Sequence, residues 1–138
     1  MEKLELSVSL LKKALETLRV SFDVSKSLSI LNNEEYMLTA QDSTIQRFEY
    51  CYDSFWKVLK RYIVVTYDIQ DANSPRSVFF ACVRKKAVSE QEGAVLIDMI
   101  ADRNLTTHSY DVVEIREIVS RIPGYYKIMH EITERLLK

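Results

Sequence analysis

The sequence predicts an all-α protein: an up-and-down four-helix bundle with short extra helices. Its 138 residues include only two glycines and two prolines, whereas sheets need many turns and turns draw on these residues. Apolar residues recur every three to four positions over long segments, the repeat of a helix with one buried face. Neither repeats nor a linker interrupts the pattern, so residues 1–138 read as one domain, long enough for a real hydrophobic core.

Leu4, Val8, Leu11, Leu15, Leu18 and Phe22 form the stripe of the first helix. "SLSILNNEEY" ends or interrupts it, and Asn32-Asn33 can end one helix and cap the next. The second helix carries the strongest stripe, Ile45, Phe48, Tyr52, Phe55, Leu59 and Tyr62, and is expected to run to about Tyr67. The two long stripes predict an antiparallel pair. Ser74 as N-cap with Pro75 at the first helical position starts a short third helix. It should end near Arg84-Lys85-Lys86, where cations suit a helix C-terminus. Ser89 and Glu92 make a capping box for a fourth helix, which carries Leu96, Met99 and Ile100 to Arg103. Val112, Ile115 and Val119 begin a last stripe, continued by Ile128, Ile132 and Leu136. Ile122-Pro123-Gly124 is expected to break or kink it.

A formal net charge of −1 gives no global positive field to attract nucleic acid. Any RNA contact must come from local patches such as Arg84-Lys85-Lys86 or Lys57/Lys60/Arg61, whose plainer reading is a solvated helix face. Cys51 and Cys82 sit inside apolar helical patterns and read as small core residues of a reducing compartment. With only His108 and His130 and no cysteine or histidine at ligand spacing from either, no metal site is expected, and no cofactor. His130 has no constellation around it. The N-terminal stretch is amphipathic and charged throughout, neither signal peptide nor membrane span. We therefore expect a cytoplasmic protein without membrane contact.

"DRNLTTHSYD", Asp102 to Asp111, is the chemically dense stretch. It is either a polar interhelix loop or a small reactive site at the end of a helix. Arg103 and His108 would point about 140° apart on an unbroken helix, so convergence requires a break between them. Asn104 can end a helix and Thr106 or Thr107 can cap the next, which would put His108 in a first turn as a neutral base. A guanidinium beside it can hold a phosphate or a phosphorane-like transition state. An arginine for phosphate and a histidine for proton transfer are the minimum equipment for cleaving RNA through its own 2′-hydroxyl.

Glu49, Asp53, Lys57 and Lys60 form a charged row along the second helix. Such rows are ordinary i,i+4 ion pairs, or here a lining that orients Arg103 or binds phosphate. Trp56 reads as a large core or interface residue. Asn104 ends the helix, orients Arg103 or contacts an RNA backbone.

"DRNLTTHSYD" resembles the Arg-x4-His-x-Tyr signature of the HEPN superfamily, and more narrowly its nucleotidyltransferase substrate-binding, or HepT-like toxin, subgroup. The likeness extends to Phe48, Glu49, Trp56, Lys57 and Lys60 in the second helix and to Ser74, Pro75 and Arg76. One departure is Leu96, where the subgroup usually has tryptophan before Met99, a matter of packing. The resemblance implies a homodimer with two Arg-x4-His motifs around one cleft, paired with a minimal nucleotidyltransferase and acting on RNA or a nucleotide. It makes Arg103 and His108 the reactive pair of a metal-independent ribonuclease, which the partner silences by transferring AMP to Tyr110. It equally accommodates a non-catalytic subunit that presents substrate to the nucleotidyltransferase. A helical interaction module with a vestigial motif is the weaker third reading, since Arg103, His108 and Tyr110 are all intact.

Overall fold

The computed structural model describes residues 1–30, 34–108 and 111–138. The described residues form five helices and no strand: α1 (Glu2–Ile30), α2 (Glu34–Tyr67), α3 (Pro75–Arg84), α4 (Glu90–His108) and α5 (Val112–Arg135). Four are long and α3 is short, as the breaker count and the stripes predict. Asn32 and Asn33 lie outside the described residues.

α1 and α2 are the antiparallel pair. Leu4, Val8, Leu11, Leu15 and Leu18 are buried against a face that carries Ile45, Phe48, Tyr52, Phe55 and Leu59. Each such leucine or phenylalanine removed from water stabilises the bundle by about 1.5–3 kcal/mol before its entropy cost. The opposed direction shows in Arg61, near the end of α2, which donates to the Lys3 carbonyl (3.2 Å) and the Ser7 hydroxyl at the start of α1.

The short elements follow their local chemistry. Ser77 N donates to Ser74 Oγ (3.2 Å) and Ser74 N to Ser77 Oγ (3.0 Å), with Pro75 at the helix start. α3 ends in a Schellman arrangement: Ala87 N–H donates to the Cys82 carbonyl and Lys86 N–H to that of Val83, with Lys86 left-handed at φ 61°. Ser89 closes the expected capping box with Glu92, at 2.9 and 3.0 Å. α3 packs on α2 through Phe79 and Phe55, whose ring centroids are 6.0 Å apart. Gly93 lets α4 approach α3, because a Cβ there would lie 2.7 Å from Val83 Cγ2. Leu96 fills its place fully buried.

Two expectations need correction. Of the break or kink expected at Ile122-Pro123-Gly124, the break is absent: α5 runs through Pro123. Its buried stripe is Ile118, Ile122, Tyr125, Met129 and Ile132, on both sides of the proline, while Val112 is 52% exposed. Continuous burial of that stripe outweighs the backbone hydrogen bond that proline cannot make. The other correction concerns α4. It does not end at Asn104 but continues to His108, and Asp111 rather than Thr107 caps α5, accepting from Val113 N (2.8 Å) and Glu114 N (3.4 Å).

Cys51 and Cys82 are buried and unpaired, and burial pushes both thiols up to about 12. They are core residues. Among the described residues no helix is long and apolar enough to cross a membrane.

Candidate functional site

α4 ends with neighbouring residues turned to different partners: Asp102 reaches α5 and Arg103 reaches α2. Asp102 is buried. Arg121 grips its carboxylate with two parallel bonds, Nε to Oδ2 at 2.7 Å and Nη2 to Oδ1 at 2.8 Å, and the Tyr125 hydroxyl donates to Oδ2 at 2.5 Å. Tyr125 in turn stacks on Phe48 of α2, with centroids 5.7 Å apart. Burial first, then the Asp102 carboxylate, holds the Tyr125 phenol above its ordinary range, so it stays a donor.

Arg103 crosses to α2. Its Nη1 donates to Glu49 Oε2 at 2.7 Å and to the Thr107 hydroxyl at 2.9 Å, and its Nη2 lies 3.6 Å from Asp53 Oδ2. The guanidinium carbon sits 6.0 Å from the centroid of the Tyr52 ring. That phenol is pushed up to about 12, mainly by burial and then by Asp53. Thr106 adds a second strap, its hydroxyl 3.2 Å from Glu49 Oε2 and 2.7 Å from the Arg103 carbonyl. Arg103 Nε is buried with no hydrogen-bond partner among the described residues. An unpaired buried donor is a cost the fold carries, and it marks this arginine as incompletely satisfied by its own chain.

These contacts explain the length of α4. Thr106 and Thr107, expected as caps, spend their hydroxyls inside their own helix and toward Glu49 and Arg103, so the backbone has no local alternative to helix there. Asn104, expected to end the helix, is an exposed residue within it.

His108 is therefore the last residue of α4 and exposed, at the carbonyl end of a helix rather than at the start of one. Since α4 is unbroken between them, Arg103 and His108 project in directions about 140° apart. A single chain does not bring the two together, and the reasoning from a helix start does not apply to His108. Tyr110 lies outside the described residues. Lys57 is exposed and lines a separate hollow on the α1–α2 side. Of the charged row, Glu49 and Asp53 face Arg103.

Beside Glu49 and Thr106 lies a hollow of about 390 Å³, also lined by Leu38, Gln41, Ile45 and Val112. Leu38 and Val112 stay exposed at its edge, as do Leu105 and Val113 next to it in sequence. Among the described residues no three His, Cys, Asp or Glu side chains gather as a metal site. His130 stacks on Tyr126, with centroids 5.6 Å apart.

Sequence reasoning missed Asp102, Arg121 and Tyr125. A signal was present: Asp102 follows Met99 by three on the apolar side of α4, and Arg121 sits between the stripe residues Ile118 and Ile122. A carboxylate on a buried stripe, as at Asp102, demands a partner, and the exposed Arg121 supplies it.

The comparisons with known proteins agree with this fold. A protein from Thermus thermophilus has the same fold at 29% identity and a TM-score of 0.80, covering 93% of this chain and 99% of that one. HI0074 from Haemophilus influenzae, described as the substrate-binding domain of a nucleotidyltransferase, superposes at TM-score 0.77 with 18% identity over 95% of this chain and 99% of its own. A tri-AMPylated HEPN toxin from Shewanella oneidensis, solved in complex with its MNT antitoxin, gives 0.74 with 14% identity over 95% and 93%. No curated protein sequence gives a match. Residues 1–138 match the family described as nucleotidyltransferase substrate binding protein like, and the chain belongs to that family.

Proposed function

We propose that this protein is the HEPN subunit of a two-component pair with a minimal nucleotidyltransferase in the cytoplasm, and that it is a metal-independent ribonuclease. The observation that carries the reading is Arg103: held by Glu49, Asp53 and Thr107, it keeps a partly exposed guanidinium in a fixed place at the end of the motif helix, where a phosphate could meet it. Arg103 would stabilise charge on the phosphorane, and His108 would move the proton of the 2′-hydroxyl. Because the two diverge on one helix, the reading requires a homodimer in which His108 of one copy meets Arg103 of the other. The exposed Leu38, Leu105, Val112 and Val113 around the end of α4 are apolar surface that a second copy would cover.

Control by the partner follows from the same site. The Shewanella relative is AMPylated in complex with an antitoxin, and Tyr110, two residues past His108, is our candidate acceptor. AMP there would set a phosphate near Arg103 and a nucleotide where RNA must lie.

A second reading has its own support. Arg103 is already saturated on Nη1 by the Glu49 carboxylate and the Thr107 hydroxyl, and HI0074 is described as a substrate-binding domain. On that reading the helical subunit presents a nucleotide and cuts nothing.

One experiment separates them. The unmodified protein is incubated with RNA in excess chelator, beside His108→Ala. We expect cleavage by the wild type only, with the variant's stability within about 1 kcal/mol of wild type. Co-expression with the nucleotidyltransferase should add one or more AMP masses at Tyr110, and Tyr110→Phe should escape them. Wild-type protein that neither cuts RNA nor harms its host leaves the binding-subunit reading in place.

A further inference from the structure

The other basic stretch, Lys57/Lys60/Arg61, is not used by the site above. On α2, Tyr50, Ser54, Lys57 and Arg61 succeed one another by 4, 3 and 4 residues, so they form one stripe facing outward beside α1. With Ser7 and Leu10 of α1 they line a hollow of about 210 Å³. Tyr50 is 61% exposed, so its ring face is open to a partner.

The charge of this hollow sets it apart. No acidic residue lines it, whereas the hollow beside Glu49 and the one between α3 and α4 each carry carboxylates. Among the described residues Arg61 donates to neutral acceptors alone, the Lys3 carbonyl and the Ser7 hydroxyl, which fix its guanidinium without cancelling its charge. Lys57 has no ion-pair partner among the described residues. Asp53, one turn earlier and the nearest acid on that side of α2, faces Arg103 instead. An exposed ring flanked by two uncompensated cations and two hydroxyls matches a base on a phosphate backbone. The same elements match an acidic protein poorly, because the ring would then lack a stacking partner.

We infer that the α1–α2 hollow around Tyr50 is a binding subsite for single-stranded RNA: one base stacks on Tyr50 while Lys57 and Arg61 hold the adjoining phosphates. It rests on the ribonuclease reading only for what the bound strand is for. The hollow is separate from the one beside Glu49, so the strand is held here independently of the motif. The readout is sequence-tolerant, since every base has a π-face and the cations touch only the backbone.

The test is anisotropy of a fluorescein-labelled, fully 2′-O-methylated oligonucleotide of mixed sequence, which lacks the 2′-hydroxyl needed for cleavage. The wild-type protein should bind it at low salt. Tyr50→Ala should weaken binding about 5- to 100-fold, and Tyr50→Phe should stay within about 3-fold, because the ring and not the hydroxyl carries the contact. Lys57→Gln should lower the slope of log affinity against log salt by about 0.7. Oligonucleotide binding that ignores Tyr50→Ala, or none by the wild type, overturns the inference. So does Tyr50→Ala turning a dimer into a monomer in sedimentation, or losing a co-purified nucleotidyltransferase while RNA binding persists, since the face is then a protein interface. Loss of binding in Tyr50→Ala alongside a wild type that cuts no RNA upholds this subsite and removes only the ribonuclease.

Discussion

Asp102 and Arg103 are adjacent in the chain, both charged, both paired across helices, and they differ in completeness. Both oxygens of the Asp102 carboxylate have partners: a two-bond arginine fork and a phenol on a side chain that is 7% exposed. The Arg103 cluster is more open, its three charged side chains 21%, 28% and 48% exposed, with one buried donor unused. A closed network can only hold the fold, because any newcomer must break a satisfied bond. An open one has room for a ligand and little stability to lose. The neighbours therefore divide the work: Asp102 fixes the azimuth of α4 against α5, and Arg103 uses that fixed position.

The largest expected effect breaks the closed side. Asp102→Ala strands Arg121 and the buried Tyr125 hydroxyl, and breaking a buried pair costs about 3–5 kcal/mol. Arg121 is 45% exposed and regains water, so we expect about 2–3 kcal/mol by urea unfolding. Asp102→Asn should lose less. A loss under about 0.5 kcal/mol would mean the network is ornamental and the division above is mistaken.

Arg103→Ala is the opposite case. Its partners remain partly solvated, so stability should change by no more than about 1 kcal/mol, while RNA cleavage in the proposed reaction should fall at least about 100-fold. The two variants make the comparison quantitative: one loses fold and the other loses function. Equal destabilisation by both would make Arg103 another structural clamp.

The legibility of the sequence divides along a similar line. Whatever depends on neighbours in the chain was readable: the stripes of α1 and α2, the end of α2 at Tyr67, the N-cap at Ser74 and the capping box at Ser89. The end of α4 was not, because Asn and Thr favour caps by bonding locally and the same hydroxyls can bond back into a helix. What decided between these was Glu49, 54 residues away from Arg103. The break that Pro123 allowed is absent for a like reason, since its local penalty is outweighed by a stripe buried against three other helices. Arg103, His108 and Glu49 were thus identifiable as residues, whereas their geometry, with Arg103 turned inward and His108 outward, had to come from the packing.

The smallest effect concerns the pair that pins the other end of α4, where Arg135 of α5 holds the Glu92 carboxylate, Nη1 to Oε2 at 2.8 Å. The Arg135 hydrogen bond, followed by weaker contributions from the Ser89 backbone and side chain, keeps Glu92 below its usual value near 4.5, against the opposing pull of burial. The sign follows from that lowering. Above about pH 4.5 Glu92 is ionised whether folded or unfolded, and its contribution is complete. As pH falls below 4.5 the unfolded chain takes up the proton first, and the contribution shrinks until the folded group is protonated too. Because Arg135 is 40% exposed, screening limits the pair, and Glu92→Gln should cost only about 0.5–1 kcal/mol at pH 7. The difference between wild type and variant should then close progressively on acidification from pH 4.5 downward, in urea unfolding at matched ionic strength. Taking the difference cancels the other carboxylates, which titrate in both proteins. A gap that stays constant down to about pH 3 would show that the capping geometry, which glutamine can also supply, matters here and the charge does not.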